Sequence, residues 1–341
     1  MSRRRAAVAS TVAATFLVAA VAAGVVIGPA GLSPGDVLEA FAARVPLLGV
    51  HSPLSPTAST IVFDLRLPRV VLGALVGSML AVAGGAYQGV FRNPLADPYL
   101  LGIAAGAGLA ATLVIAYGPA GASTSLLLPA AAFAGASASV AVTYLLGRAG
   151  GHGTSGLVLA GVTVAAFLTA VQTFVQQQRS ETIRDVYAWL LGQLETTGWS
   201  DVWIVAPYAA VAAATILVHR RLLDVLRLGD EEAAALGVDV TRVRLVVIAA
   251  ATVGTAAAVA VSGLIGFVGI IVPHAIRLLV GGTYRVVLPL SILAGGGFLV
   301  LADVLARTVL SPAELPIGVV TAFFGAPFFA IVLRTARVVT P

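Results

Sequence analysis

The chain of 341 residues contains neither cysteine nor lysine. The absence of cysteine excludes disulfide bonds, thiolate metal sites and cysteine nucleophiles. All 20 basic residues are therefore arginine. The phosphate-binding loop of ATPases, G-x-x-x-x-G-K-[ST], needs its lysine at the β- and γ-phosphates of the nucleotide. The sequence therefore predicts that this chain does not hold ATP in such a loop, and that any ATPase driving it is a separate chain.

Charged residues are scarce, and the apolar residues occur in long runs. Only 10% of the residues are charged, 59% are hydrophobic, and the mean hydropathy is +1.02. An average soluble domain has about 25% charged residues, so this composition excludes an ordinary water-exposed surface. A helix that crosses a bilayer needs about 20 predominantly apolar residues. The sequence therefore predicts an all-α, polytopic membrane protein that forms one transmembrane domain over residues 1–341.

Ten apolar segments are long enough to be predicted as transmembrane helices. The first follows Ser2-Arg3-Arg4-Arg5 and resembles a signal peptide. Its apolar run is longer than the roughly 7–15 residues of a signal core, so we expect a retained helix. The ten predicted spans are 8–28, 70–90, 98–117, 126–146, 156–176, 202–219, 243–262, 264–280, 286–306 and 316–333.

The arginines are distributed unequally between the two sides of these spans. With the N-terminus inside, fourteen arginines lie on the cytoplasmic side and six on the outer side. An excess of arginine in cytoplasmic loops fixes the orientation of membrane proteins, and it also explains the net charge of +5 without nucleic-acid binding. Both termini are therefore predicted to be cytoplasmic. The six outer arginines are Arg44, Arg66, Arg69, Arg179, Arg184 and Arg307.

The connection over residues 220–242 is too polar to cross a membrane. It predicts one or two short helices on the cytoplasmic side, broken at Gly229 and Gly237. The acidic run 230–232 would lie in the first turn of the second helix, where carboxylates complement the helix dipole. A structured loop of this kind favours a docking platform for a partner, and a merely solvated loop is the alternative.

Small residues are abundant, with 37 glycines often spaced by three or four. Such spacing lets helix backbones approach closely in lipid. The runs 69–117 and 244–280 each combine a small-residue helix with a proline-containing turn, in opposite predicted orientations. This pattern favours an inverted repeat.

Ionisable groups within the spans are few, and such groups are functional candidates by default. Asp303 and Arg307 are one helical turn apart and predict an ion pair. His274 is expected to be a hydrogen-bonded structural residue rather than a proton carrier. Motifs such as H-E-x-x-H and G-x-S-x-G do not occur in the sequence. We expect no catalytic residue, no metal site and no cofactor in this chain.

An ordered set of short motifs carries a resemblance to a known family. Over residues 60–335 the chain resembles the permease subunits of bacterial importers for ferric siderophores, haem and vitamin B12, which are type II ABC importers. The motifs are Arg66-Leu67-Pro68-Arg69, Gly84-Gly85, Gln88, Arg92-Asn93-Pro94-Leu95-Ala96-Asp97-Pro98, Leu101-Gly102, Trp189-Leu190, Gly192, Leu236-Gly237-Val238, Gly266-Phe267-Val268-Gly269, Pro273-His274, Arg277, Ala302-Asp303, Arg307, Glu314-Leu315-Pro316, Gly318-Val319-Val320 and Gly325-Ala326-Pro327.

The resemblance implies ten helices per subunit and an assembly with several partners. These partners are a second permease subunit (an identical copy or a close paralogue), two ATP-binding subunits that hold ATP and Mg²⁺, and an extracytoplasmic substrate-binding protein. It also implies a multi-pass protein of the bacterial cytoplasmic membrane that takes up a metal chelate by alternating access. A ferric siderophore is the expected cargo, with haem or cobalamin as alternatives. An ion-coupled secondary transporter, which needs no such partners, is the alternative class.

The resemblance further assigns expected roles to individual residues. Arg66, Arg69 and Arg307 are expected to face outward and bind acidic side chains of the binding protein, because guanidinium groups bind carboxylates in an oriented manner. Asn93 and Leu95 are expected to form the cytoplasmic gate. The translocation pathway is expected to be lined by Gly161, Thr163, Gln172 and Gln176. The surface that couples to the ATPase is expected to contain Gly229, Glu231, Glu232, Ala234, Leu236 and Gly237.

Overall fold

The computed structural model describes residues 3–45, 49–119, 121, 126–149, 153–194 and 198–336. Within these ranges the protein is helical and has no β-strand. The helices are α1 (Arg3–Val26), α2 (Pro34–Ala42), α3 (Pro56–Thr60), α4 (Leu67–Phe91), α5 (Ile103–Tyr117), α6 (Leu127–Ala149), α7 (Gly153–Gln178), α8 (Ile183–Leu190), α9 (Ser200–Leu226), α10 (Asp230–Ala235), α11 (Val240–Ser262), α12 (Val268–Val280), α13 (Tyr284–Thr308) and α14 (Ile317–Ala336).

Ten of these helices correspond to the ten predicted spans. Seven are long and apolar enough to cross a membrane, namely α1, α4, α6, α7, α9, α11 and α13, and three are shorter apolar helices, namely α5, α12 and α14. The predicted all-α membrane fold is therefore confirmed. Two helices in the connection before α4, α2 and α3, were not predicted. A π-helical turn over Ile61–Arg66 joins α3 to α4 without a break.

Helix α4 lies at the centre of the bundle, packed against α13, α11, α9 and α12. Glycines allow the close approach. A methyl group on Gly77 would overlap the carbonyl oxygen of Gly295 in α13, and one on Gly84 would overlap that of Gly269 in α12. Backbones in contact gain van der Waals packing, which drives helix association in lipid. The glycine spacing in the sequence is thus accounted for by packing.

Two stretches of irregular backbone interrupt this core and contact each other. Residues 92–102, which include a 3₁₀ turn over Pro98–Leu101, connect α4 to α5, and residues 263–267 connect α11 to α12. The hydroxyl of Tyr99 donates to the carbonyl of Ile265 and accepts from its N–H, both at 3.1 Å. Each stretch joins a long helix to a short one, which is the arrangement expected of the two halves of an inverted repeat.

Side-chain hydroxyls from α6 satisfy the irregular backbone before α5. Ser139 donates to the carbonyl oxygen of Gly102 at 2.9 Å, and Thr143 donates to that of Leu101 at 3.1 Å. Both hydroxyl-bearing residues are buried. Non-helical backbone at membrane depth must find such partners within the protein. These two residues therefore allow the chain to turn inside the helix bundle.

The connection predicted over residues 220–242 is partly helical. Its first part, through Leu226, continues α9 rather than forming a separate helix, because the apolar face of α9 remains buried at Leu223 and Leu226. Helix α10 then lies between Gly229 and Gly237, both with positive φ, as the predicted breaks require. The three acidic residues of 230–232 occupy its first turn, as predicted.

Candidate functional site

Five charged residues form an ion cluster where α4 begins and α13 ends, at the predicted outer end of the bundle. The members of this ion cluster are Arg66, Arg69, Asp303, Arg307 and Glu314. Arg69 donates from Nε to Asp303 Oδ1 at 2.9 Å, and from Nη1 and Nη2 to the two oxygens of Glu314 at 3.1 and 2.7 Å. The pairing with Glu314 is bidentate, which is the oriented geometry of strong guanidinium–carboxylate contacts.

The other two arginines of the ion cluster hold the end of α1. Arg66 Nη1 donates to the carbonyl oxygens of Val25 and Val26 at 2.9 and 3.1 Å, and Arg307 Nη2 donates to that of Gly24. The last carbonyls of a helix lack partners within the helix and carry partial negative charge. Two guanidinium groups therefore satisfy and neutralise the end of α1.

This arrangement corrects the expectation that all three arginines face outward. Arg66 and Arg307 are only 5% and 3% exposed, since their guanidinium groups are taken up by the end of α1. Arg307 also lies 3.3 Å from Asp303 Oδ2, the ion pair expected from their spacing. Arg69 retains 15% exposure and Glu314 36%. Of the ion cluster, Arg69 and Glu314 are thus the members that reach the surface, and the docking role itself stays a prediction.

The predicted gate lies in the turn directly after α4. Arg92 adopts a left-handed conformation with φ of 51°, which ends α4. The side chain of Asn93 then accepts the N–H of Leu95 at 2.9 Å, while Leu95 itself is 45% exposed. Farther along, burial raises the pKa of Asp97 to about 6, although its carboxylate accepts the Tyr99 N–H. Asn93 therefore fixes the turn, and the exposed side chain of Leu95 is available for contact with a partner. The gate role of both residues stays a prediction.

Helix α10 is attached to this turn by Asp230. Its carboxylate lies 3.2 Å from Arg92 Nη2 and accepts two hydrogen bonds from Arg244, at 2.7 and 2.9 Å. Sequence reasoning placed Asp230 only in a helix-dipole role and missed this link. No local pattern could reveal it, because Arg92 belongs to a distant part of the chain.

The predicted coupling residues occupy the outer side of α10 and its flanks. Leu236 is 65% exposed, and Leu228 just before the helix is 61% exposed. Glu231, Glu232, Ala234 and Gly237 are exposed as well, whereas Ala233 is buried against the bundle. Exposed leucines among acidic side chains form a surface suited to a protein partner. The coupling role stays a prediction.

The four predicted pathway residues do not share one face of α7. Gly161 packs against the backbone of Leu100, and Gln172 is 7% exposed beside Gly108 of α5. Thr163 is exposed and lies about two and a half helical turns from Gln172, hence on the opposite face. Gln176 is half-buried. A single pathway surface within this subunit therefore does not include all four, and their pathway role stays a prediction.

His274 was expected to be hydrogen-bonded, and the structure differs. Its Nδ1 is buried and has no hydrogen-bond partner within the described ranges. The ring instead meets Phe328 and Phe329 of α14, at centroid distances of 6.0 and 6.5 Å. Aromatic packing between α12 and α14 is therefore the observed role of this side chain.

Comparison with known proteins identifies the family. The model of the FecCD transport family matches residues 16–335. The chain is 44% identical over 283 residues to the cobalamin import system permease protein BtuC of Halobacterium salinarum, covering 83% of this chain and 75% of that one. It is 40% identical to the Fe(3+)-citrate import system permease protein YfmD of Bacillus subtilis (81% and 82% covered) and to the hemin transport system permease protein HmuU of Yersinia pestis (80% and 82%).

A solved structure shares the whole fold. A metal-chelate type ABC transporter in an inward-facing conformation superposes with a TM-score of 0.83 at 30% identity, covering 96% of this chain and 98% of the other. Sequence and structure thus agree over nearly the full length. The chain belongs to the FecCD transport family and is a multi-pass permease subunit of an ABC importer for metal chelates, a class that works with ATPase and substrate-binding subunits.

Proposed function

We propose that this chain is the permease of an importer for a ferric siderophore. Two copies form the pathway across the cytoplasmic membrane, with both termini in the cytoplasm, and two separate ATPase subunits bind at the α10 side. A binding protein delivers the cargo at the end that carries the ion cluster. Iron-citrate and hemin permeases among the relatives support an iron chelate. Cobalamin is the second candidate, supported by 44% identity to a cobalamin permease.

The link from α10 to the turn after α4, which we call the gate turn, is the observation that supports drive by a separate ATPase. An ATPase that seats against Glu231, Glu232 and Leu236 would move α10, whose Asp230 holds Arg92 at the start of the gate turn. The arrangement suits a channel that is opened from outside by a second protein.

Transport by the reconstituted complex tests this proposal. In proteoliposomes with the ATPase and binding protein, uptake of a radiolabelled ferric siderophore should require ATP, and a proton gradient should not replace it. Charge reversal at Glu231 and Glu232 should reduce uptake in chains that remain inserted, because like charges then meet an ATPase surface complementary to acids. Unlabelled cobalamin should not reduce this uptake, and strong inhibition by cobalamin would favour the second cargo. Uptake driven by a proton gradient without any ATPase would overturn the proposal.

Cross-linking tests the gate and the second copy together. Because the chain contains no cysteine, Leu95→Cys introduces one thiol per subunit. We expect two copies to form a disulfide across the pathway in at least one nucleotide state, since this exposed side chain should face its counterpart about a two-fold axis. Leu245→Cys, also 45% exposed but on α11, is the matched control and should not cross-link. Absence of the Leu95→Cys dimer in every state would contradict the gate assignment.

A further inference from the structure

A polar cavity of about 230 Å³ lies at the predicted cytoplasmic end of the bundle, next to the gate turn. Three arginines from three separate elements line it: Arg92 after α4, Arg227 after α9 and Arg277 in the last turn of α12. The remaining lining residues are Gln88, Pro94, Gly282 and Tyr284. Among the described residues no carboxylate lines the cavity, so its walls carry an excess of positive charge.

The nearby carboxylates offset only part of this charge. Asp230 is shared between Arg92 and Arg244, and Asp224 accepts the N–H of Tyr284 and lies 3.5 Å from Arg285. Arg277 has no carboxylate partner in the part of the chain that the structure describes. An arginine that lies among helix ends without an acidic partner destabilises the folded chain unless a bound anion compensates its charge.

The guanidinium of Arg277 has unused hydrogen-bonding capacity. Its Nη2 donates to Gln88 Oε1, whereas Nη1 is buried and has no partner among the described residues. Arg227, which also lines the cavity, donates to the carbonyl of Gly282 at 2.6 Å and lies 6.0 Å from the centre of the Tyr284 ring. Guanidinium groups fixed in this way can bind an oxyanion with little loss of side-chain entropy.

We propose that this cavity binds a phosphate group, presented either by an anionic phospholipid or by soluble phosphate. Converging guanidinium donors match the geometry of phosphate oxygens. Basic pockets between transmembrane helices on the cytoplasmic side are suited to lipid headgroups. The neighbouring Leu278 and Leu279 of α12 are 68% and 80% exposed, which would provide an apolar surface for acyl chains beside the headgroup. A phosphate bound here would contact both α12 and the residue that begins the gate turn.

Thermal unfolding of the full chain in nanodiscs tests the site and separates the two sources. In one arm the nanodiscs contain phosphatidylglycerol mixed with zwitterionic lipid. In the other arm they contain zwitterionic lipid alone, and inorganic phosphate is added to the buffer. Chloride at the same ionic strength is the control for the second arm. A ligand of the folded state raises the unfolding temperature. We expect stabilisation in at least one arm. Stabilisation by phosphatidylglycerol only identifies a lipid headgroup, and stabilisation by phosphate identifies a soluble ligand.

Variants decide whether the effect arises at this cavity. Arg277→Gln should weaken binding by about tenfold or more, since it removes charge-assisted hydrogen bonds. Arg227→Gln, at an exposed position, provides a second test if Arg277→Gln does not fold. Arg285→Gln is the matched control, because this arginine is 57% exposed at the same end but does not line the cavity. Equal responses of the wild type and both cavity variants in both arms would overturn the proposal. So would stabilisation by bound ATPase subunits alone, which would indicate an acidic protein partner instead.

Discussion

Replacing Asp303 with alanine is expected to lower the unfolding free energy by about 3–5 kcal/mol, which is the cost of removing one partner from a buried ion pair. Asp303 is 1% exposed and lies between Arg69 and Arg307. Without it, two guanidinium groups remain close together in a buried environment with no carboxylate between them. Unfolding by titration with sodium dodecyl sulfate, followed by tryptophan fluorescence, measures the change.

Glu314→Ala is the matched control, since it removes the other carboxylate bound to Arg69. Glu314 is 36% exposed, and exposed ion pairs contribute about 0–1 kcal/mol. If Glu314→Ala lowered the unfolding free energy as much as Asp303→Ala, burial would not explain the cost of removing Asp303. A further variant, Arg69→Ala, tests docking. It should weaken the binding protein's affinity for the complete complex, whereas Glu314→Ala should not. Unchanged affinity in Arg69→Ala would remove Arg69 from the docking surface.

Asp230→Asn is expected to reduce uptake per ATP hydrolysed by about tenfold while the ATPase activity of the complex persists. The substitution keeps the shape of the side chain but removes the charge that attracts Arg92 and Arg244. Exposed ion pairs contribute about 0–1 kcal/mol each, and Asp230, which is 44% exposed, makes two of them. A combined loss of about 1.4 kcal/mol corresponds to such a factor. Parallel measurement of uptake and phosphate release in proteoliposomes gives the ratio.

Asp239→Asn provides the control within the same connection. Asp239 accepts the N–H of Arg242 at the start of α11, and asparagine serves as well in that capping position. This variant should therefore transport normally despite an equal loss of charge. If both variants coupled ATP hydrolysis to uptake equally well, Asp230 would hold α10 in place without transmitting movement to the gate.

The membrane spans could be predicted from the sequence because hydropathy is a local property. Each span is an apolar run that the chain must bury in lipid or protein wherever it lies. Helices α2 and α3 were missed because they are short and belong to a connection, where hydropathy is uninformative. Both begin with a proline in the first turn, after Ser33 and Ser55 respectively. Serine followed by proline is a recognised helix start, so this signal was present.

The partners of the charged residues could not be predicted in the same way. Arg66 and Arg307 lie at predicted span ends, and their outer position argued for a surface role. Their partners are backbone carbonyls of α1, which carry no sequence signature. The packing of α1 against the start of α4 brings them within reach of Arg66, and its packing against α13 brings them within reach of Arg307. The Asp303–Arg307 pair was predictable, because one helical turn separates the two residues. Contacts between distant segments depend on the tertiary fold.

The capping of α1 also has a consequence for biosynthesis. Arg66 follows Val25 by 41 residues, whereas Arg307 follows Gly24 by 283. At a translation rate of about 5–20 residues per second, Arg307 is synthesised roughly 15–60 s after the carbonyl that it binds. During that interval the first helix can form its contacts with Arg66 and with Val70 of α4, but not those with α13. The full set of contacts that fixes the N-terminal helix of this permease is therefore available only after the ninth span has been synthesised.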